Sequence, residues 1–327
     1  MAKEKLKVAV VGGGSCSGCD IAILDLHEKL LDVLKNADIV FMQLVMDAKH
    51  SDLEKMKDDE IDVGIYHGSV RSSEQEHLAK LLRKKSKTLI ALGSCACFGG
   101  IFGLANTTSR EEILEEVYCN PQFEENQNKV TPTESSKDVG HSLTLPVFYD
   151  EVYALSDKVP VDYFIPLCPP LPEHIMIALS AAVKGKLPKN GSFIGGGQRT
   201  LCSECPRTKS KTRKIEKIYR PHEVIIDQEK CMLDQGILCM GPATRAGCKV
   251  ICLNANVPCR GCNGPTQEAI DQGGNILGLF ATIFGIGEEE LTEEDIKKLF
   301  SNIKDPLGTF YRFTLPKSML RKVWRKK

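Results

Sequence analysis

Residues Lys7 to Cys19 read KVAVVGGGSCSGC. A short β-forming run ends in three glycines, and a Cys-x-x-Cys pair follows just where a helical pattern begins. A strand that turns through glycine into a helix is the opening of a βαβ unit. The same order repeats downstream. Ile21–Leu34 carries Ile21, Leu24, Leu31 and Leu34 at helical spacing, and Ile39–Val45 and Ile61–Tyr66 predict strands. Glu74–Lys85 predicts a helix behind a Ser72-Ser73 cap, and Thr88–Leu92 a nearly all-apolar strand running into Gly93-Ser94-Cys95. After a polar, turn-rich stretch from Asn120 to Gly140, Val161–Leu167 predicts another strand. Glu173–Val183 then predicts a helix behind Pro169, Pro170 and Pro172. Alternation of this kind implies an α/β, doubly wound parallel sheet over residues 1–194.

The averages narrow the function. The 327 residues carry 43 Lys+Arg against 43 Asp+Glu and are 42% hydrophobic, which argues against disorder and against a general nucleic-acid binder. The longest apolar run, Ile276–Ile286, is far short of the ~20 residues a bilayer requires. Met1–Lys5 has no apolar signal core. These features predict a cytoplasmic chain with no membrane span and no nucleic-acid partner.

The fourteen cysteines need a separate explanation. A cytoplasm keeps thiols reduced, so metal ligation or redox chemistry is expected before disulfides. Cys16 and Cys19, Cys95 and Cys168 each follow a predicted strand, and ligands gather outside the carboxyl ends of strands in open α/β sheets. Gly12-Gly13-Gly14 is not a dinucleotide loop, because Ser17 stands where the third glycine belongs, and no Gly-Lys-Ser/Thr follows for a phosphate loop. Residues 195–287 are rich in Cys, Gly and Pro and predict a metal-dependent core. They hold Cys202-x-x-Cys205, Cys231, Cys239, Cys248-x3-Cys252 and Cys259-x-x-Cys262, two further sets of four. Spacing leaves zinc and iron–sulfur clusters both open. The loose Cys231-x7-Cys239 pair and the lack of a repeating ribbon favour clusters. Cys97 and Cys119 are expected to be bystanders.

Residues 288–327 predict a helical, basic extension. Thr292-x-x-Asp295 opens a helix over Thr292–Asn302, and Arg312–Lys327 carries seven basic residues and no acidic one. Charge alone predicts that this tail docks a partner and contributes little to the fold. The basic stretch Arg207–Arg220 reads equally as a solvated loop or a docking surface.

Cys16-Ser17-Gly18-Cys19, Gly93-Ser94-Cys95-Ala96-Cys97-Phe98-Gly99-Gly100 and Cys168-Pro169-Pro170 together resemble the signatures of the NiFe-hydrogenase small subunit. The order of the later cysteines continues the resemblance to about residue 265. Within the family it is nearest to the gamma (G) subunit of archaeal hydrogenases that feed heterodisulfide reductase and do not reduce the deazaflavin coenzyme. The resemblance implies a flavodoxin-like first domain and three 4Fe–4S clusters in a row. It implies a proximal cluster on Cys16, Cys19, Cys95 and Cys168, and a distal one on Cys202, Cys205, Cys231 and Cys239. The middle cluster would fall to Cys248, Cys252, Cys259 and Cys262. Cys202 stands where periplasmic relatives have histidine, and Cys252 where they have proline; no twin-arginine signal is present. The implied partners are a large subunit that carries the NiFe centre, an iron–sulfur (delta) acceptor subunit and heterodisulfide reductase. Three alternatives remain: a deazaflavin-reducing hydrogenase, a complex-I-like small subunit, which lacks the two later cysteine sets, and a zinc-stabilised binding protein.

Overall fold

The computed structural model describes residues 5–120, 122, 125–211, 215, 217–283 and 292–322. Six strands form one parallel sheet: β1 Leu6–Gly12, β2 Ala37–Met42, β3 Ile61–His67, β4 Ser86–Leu92, β5 Tyr163–Ile165 and β6 Ser192–Phe193. Their spatial order is β2-β1-β3-β4-β5-β6, every neighbour parallel. The chain winds outward both ways from β1, as the alternating pattern predicts.

Side chains along a strand point alternately to opposite faces, and here each face has its own core. Val8 and Val10 of β1 and Ile90 and Leu92 of β4 pack with Ala22, Ile23, Ile175 and Leu179 on one side. Ala9 and Val11, with Leu89 and Ala91, pack on the other side against Leu53, Leu78, Leu82 and Phe98. Strands buried on both faces read as continuous apolar runs, which is why Thr88–Leu92 shows no alternation.

The helices that carry the site are α1 Gly18–Leu24, α2 Ser73–Lys85, α3 Gly93–Phe98 and α4 Pro172–Val183. At the head of α2, Ser72 Oγ accepts from the Gln75 N–H at 3.3 Å, while Gln75 Oε1 accepts from the Ser72 N–H at 3.2 Å. This is a reciprocal capping box. Several expected boundaries shift. Ile21–Leu34 is two short helices, with His27 at φ 49° between them. The second strand ends at Met42, and β5 spans only three residues. The Asn120–Gly140 stretch contributes half of an exposed hairpin, Ser135–Asp138 with His141–Thr144, and a further helix spans Arg110–Cys119. Among the described residues, no helix is long and apolar enough to cross a membrane.

A third core lies beyond residue 200. Helix α5, Gln272–Ile283, buries Ile276, Phe280 and Ile283 among Leu201, Ile218, Met232, Leu253, Phe310 and Tyr311. This region therefore has more apolar core than its cysteine-rich composition predicts. Thr292 caps helix α6, Glu293–Phe300, through the expected box: Thr292 Oγ1 accepts from the Asp295 N–H at 3.2 Å, and Asp295 Oδ2 accepts from the Thr292 N–H at 3.0 Å.

The basic tail corrects the expectation drawn from its charge. Phe313, Thr314, Leu315 and Ser318 are buried, and Arg321 pairs with the buried Glu151 at 3.1 Å. Phe313 O accepts from the Gly100 N–H at 3.1 Å, and the Pro316 ring lies against Gly99 and Gly103. Basic residues alternate here with apolar ones, and the apolar ones decide the placement. Residues 323–327 lie outside the described residues.

Candidate metal centres in three cysteine sets

All fourteen cysteines are free thiols. The first set assembles at the carboxyl edge of the sheet. Cys16 and Cys19 flank the start of α1 after β1, Cys95 lies in α3 directly after β4, and Cys168 follows β5. Three contacts draw these strand ends together. Cys19 Sγ lies 3.8 Å from Leu92 O, Ser94 N–H donates to Leu167 O at 2.8 Å, and Gly13 N–H donates to His67 O at 2.8 Å. Beneath the Cys16–Cys19 loop, buried His67 places Nε2 2.9 Å from Asp20 Oδ1 and Nδ1 3.1 Å from Ser15 Oγ.

The thiols register one another. Burial first, and then the charges of Cys95, Cys168 and Cys16, hold the Cys19 thiol far above its usual range. Burial, with Cys168 and Cys16, pushes Cys95 up to about 12. Desolvation penalises a thiolate, and like charges nearby add to that cost. A cationic metal centre removes both penalties, and ligation then releases the thiol protons.

Two glycines make the first set possible. Gly93 has φ +83°, and a Cβ there would stand 2.5 Å from Cys19 Sγ; Gly100 has φ +64°, and its Cβ would overlap Cys95 Sγ. Gly93→Ala should therefore cost at least about 1–2 kcal/mol for the left-handed backbone alone, before the clash with Cys19 is counted. Anaerobic iron analysis should show metal lost from this set; full iron retention would mean that the close approach is not required.

In the second set, Cys202 and Cys239 both place Sγ 3.5 Å from where a Cβ of Gly241 would sit. Burial pushes Cys239 up to about 12, and the charges of Cys202 and Cys231 add to it. Cys205 is held beside Cys202 by Lys209, whose Nζ donates to the carbonyls of Cys202 at 2.5 Å and Cys205 at 3.4 Å. In the third set, burial pushes Cys262 up to about 12, with Cys248 and Cys252 raising it further. Cys259 is buried and stays well above its ordinary range, raised by burial, then by Cys239 and Cys262. Cys252 is exposed.

Two links order the sets. Ser94 Oγ donates to Cys262 O at 2.5 Å, and the Cys168 charge also reaches Cys262, joining the first set to the third. Met240 N–H donates to Cys259 O at 3.0 Å, joining the third to the second. The Cys248–Cys262 set thus adjoins both of the others.

Cys97 is 1% exposed, with Sγ 3.4 Å from Ala91 O, and points into the sheet core; Cys119 ends the helix Arg110–Cys119. Arg207, expected in a loop or docking surface, is buried. It donates to the carbonyls of Asp227, Lys230 and Leu253 and to Asn256 Oδ1. Sequence reasoning missed Lys209 and Arg245. The Arg245 guanidinium, buried at 3.9 Å over the Phe193 ring, donates to Pro265 O at 2.8 Å, and burial pulls its pKa down to about 10. An isolated arginine gives no sequence signal for such a role.

Among the described residues, no three His, Cys, Asp or Glu side chains are grouped to hold a single metal ion.

The family model described as NADH ubiquinone oxidoreductase, 20 Kd subunit, matches residues 16–182 and stops short of the later eight cysteines. Relatives matching nearly end to end extend across them. The iron-sulfur G subunit of the F420-non-reducing hydrogenase of Archaeoglobus profundus is 40% identical over 97% of this chain and 98% of its own. The vhu G subunit of the F420-non-reducing hydrogenase of Methanocaldococcus jannaschii is 38% identical over 97% of each. Among solved structures, a NiFeSe-hydrogenase chain of Dm. baculatum aligns with a TM-score of 0.49 at 18% identity, covering 81% of this chain and 96% of that one. On these full-length matches, the chain belongs to the G-subunit family of F420-non-reducing hydrogenases and is a small subunit of a NiFe hydrogenase.

Proposed function

We propose that this chain is the electron-carrying subunit of a cytoplasmic enzyme and holds three 4Fe–4S clusters in a row. Cys16, Cys19, Cys95 and Cys168 hold the proximal cluster, and Cys248, Cys252, Cys259 and Cys262 the middle one. Cys202, Cys205, Cys231 and Cys239 hold the distal one. When bound, the clusters supply one-electron relays between dihydrogen oxidation on the large subunit and an iron–sulfur (delta) acceptor subunit that serves heterodisulfide reductase. The names of the full-length relatives support an acceptor other than the deazaflavin.

The observation that supports the reading best is the pair of links, Ser94 to Cys262 and Met240 to Cys259, by which the third cysteine set adjoins the other two. The chain's own side chains maintain that arrangement. His67 braces Ser15 and Asp20 around the first Cys-x-x-Cys pair. Lys209 locks Cys202 to Cys205, and Arg245 keeps a buried positive charge behind α3 near Cys97. Charge and hydrogen bonding near a cluster tune its potential, so His67 and Lys209 would act on the levels between which electrons fall.

Anaerobically purified protein should contain iron and acid-labile sulfide near three cubes' worth, roughly 12 Fe per chain. Stoichiometric zinc without sulfide would overturn the reading in favour of the zinc-stabilised alternative.

A further inference from the structure

Beside the second and third cysteine sets lies a cavity of about 430 Å³ whose lining includes Arg220, His222, Arg260, Lys304 and Arg312 against one acidic residue, Asp305. Asp305 is already engaged: its Oδ1 accepts from the Gly308 N–H at 2.8 Å and caps the following helix. None of the five basic side chains forms an ion pair with a described residue. Arg260 and Arg312 line the same cavity wall as Lys304 and Arg220. In a chain with zero net charge, such a concentration of one sign is a local feature.

Its position suggests a use. Arg260 lies inside the Cys259-x-x-Cys262 pair, and Leu238, also on the cavity wall, directly precedes Cys239. Whatever fills the cavity sits one residue away from a middle-set thiol and a distal-set thiol. Arginine forks bind carboxylates in two-point fashion, and clustered positive charge speeds the arrival of acidic partners.

We propose that this cavity is the docking site for an acidic, Asp- and Glu-bearing segment of the protein that takes electrons from this chain. The proposal rests on the electron-transfer reading above. It places the exit at Arg220, His222, Arg260, Lys304 and Arg312, whereas Arg207, at the start of the basic stretch, serves the fold.

The test uses the holoenzyme with its large subunit, dihydrogen as donor, and two acceptors: an acidic ferredoxin and a cationic viologen. The exposed Arg220 and Lys304 are reversed together, as Arg220→Glu with Lys304→Glu. At low salt, kcat/KM for the ferredoxin should fall at least tenfold and lose most of its salt dependence, while viologen reduction stays within twofold. Unchanged ferredoxin kinetics would overturn the proposal. So would a wild-type enzyme in which inorganic phosphate occupies the cavity without slowing ferredoxin, since that marks a free-anion site. If the reversed pair loses iron, Arg220→Gln with Lys304→Gln decides by the same comparison. A wild-type enzyme that reduces neither acceptor would instead refute the electron-transfer reading.

Discussion

A chain cut after Tyr311 should lose iron from the first cysteine set, although that set lies more than 140 residues upstream. The cut removes Phe313 and Leu315, both buried, and burial of such side chains is worth about 1.5–3 kcal/mol each. It also removes the Arg321 partner of Glu151, a carboxylate only 2% exposed, and a buried charge that loses its partner is strongly destabilising. Against a whole-domain stability of about 5–15 kcal/mol, these losses are decisive. The cut also reaches the turn just after the helix that carries Cys95. Gly100 loses the Phe313 carbonyl that accepts from its N–H, and Gly99 and Gly103 lose the Pro316 ring. Iron analysis of the truncated chain should give about two cubes or fewer, with a lower midpoint in anaerobic urea unfolding. Retention of all iron would return the tail to the docking role its charge suggests.

Replacing Cys252 by Pro should convert the middle site without unfolding it. Cys252 is exposed on the short helix Ile251–Asn254, at the second helical position, where proline removes no intrahelical bond. Three thiols would remain in that set, Cys248, Cys259 and Cys262. A cube with only three protein thiolates holds its fourth iron weakly, so a three-iron form is expected. Cluster type and net charge are among the main determinants of potential. With one thiolate fewer, the middle site should sit higher and trap electrons. Dihydrogen-driven reduction of a low-potential acceptor should slow, while uptake with a high-potential dye survives. The oxidised variant should show a three-iron EPR signal that wild type lacks. An unchanged spectrum would mean that Cys252 is not a ligand.

The sheet was legible in the sequence because its strands are short, apolar and punctuated by glycine. The cysteines of the first set were legible because each follows such a strand. Three features were not. The break at His27 lies inside a pattern whose apolar residues still keep helical spacing, so nothing local marks it. Helix α5 was hidden in an apolar run, since Ile276, Phe280 and Ile283 fall on one face among other apolar residues. The tail misled because net charge is a property of all its residues, whereas placement depends on the few that are buried. In the site, the Ser94-to-Cys262 and Lys209 contacts join residues 168 and 4–7 positions apart. The Ser94 contact has no local signal at all, and Lys209 is indistinguishable in sequence from the other lysines of a basic stretch.

The bracing of Cys95 by Phe313 and Pro316 also has a consequence in time. The last cysteine of the first set, Cys168, is synthesised about 150 residues before Pro316. At ~5–20 residues per second, that interval is roughly 7–30 s. During it the four thiols are present on the nascent chain, yet the turn that follows Cys95's helix lacks its Phe313 and Pro316 contacts. A metal or oxidant arriving then would meet an unfinished pocket. Full support of the first set therefore has to wait until Phe313 and Pro316 have been made.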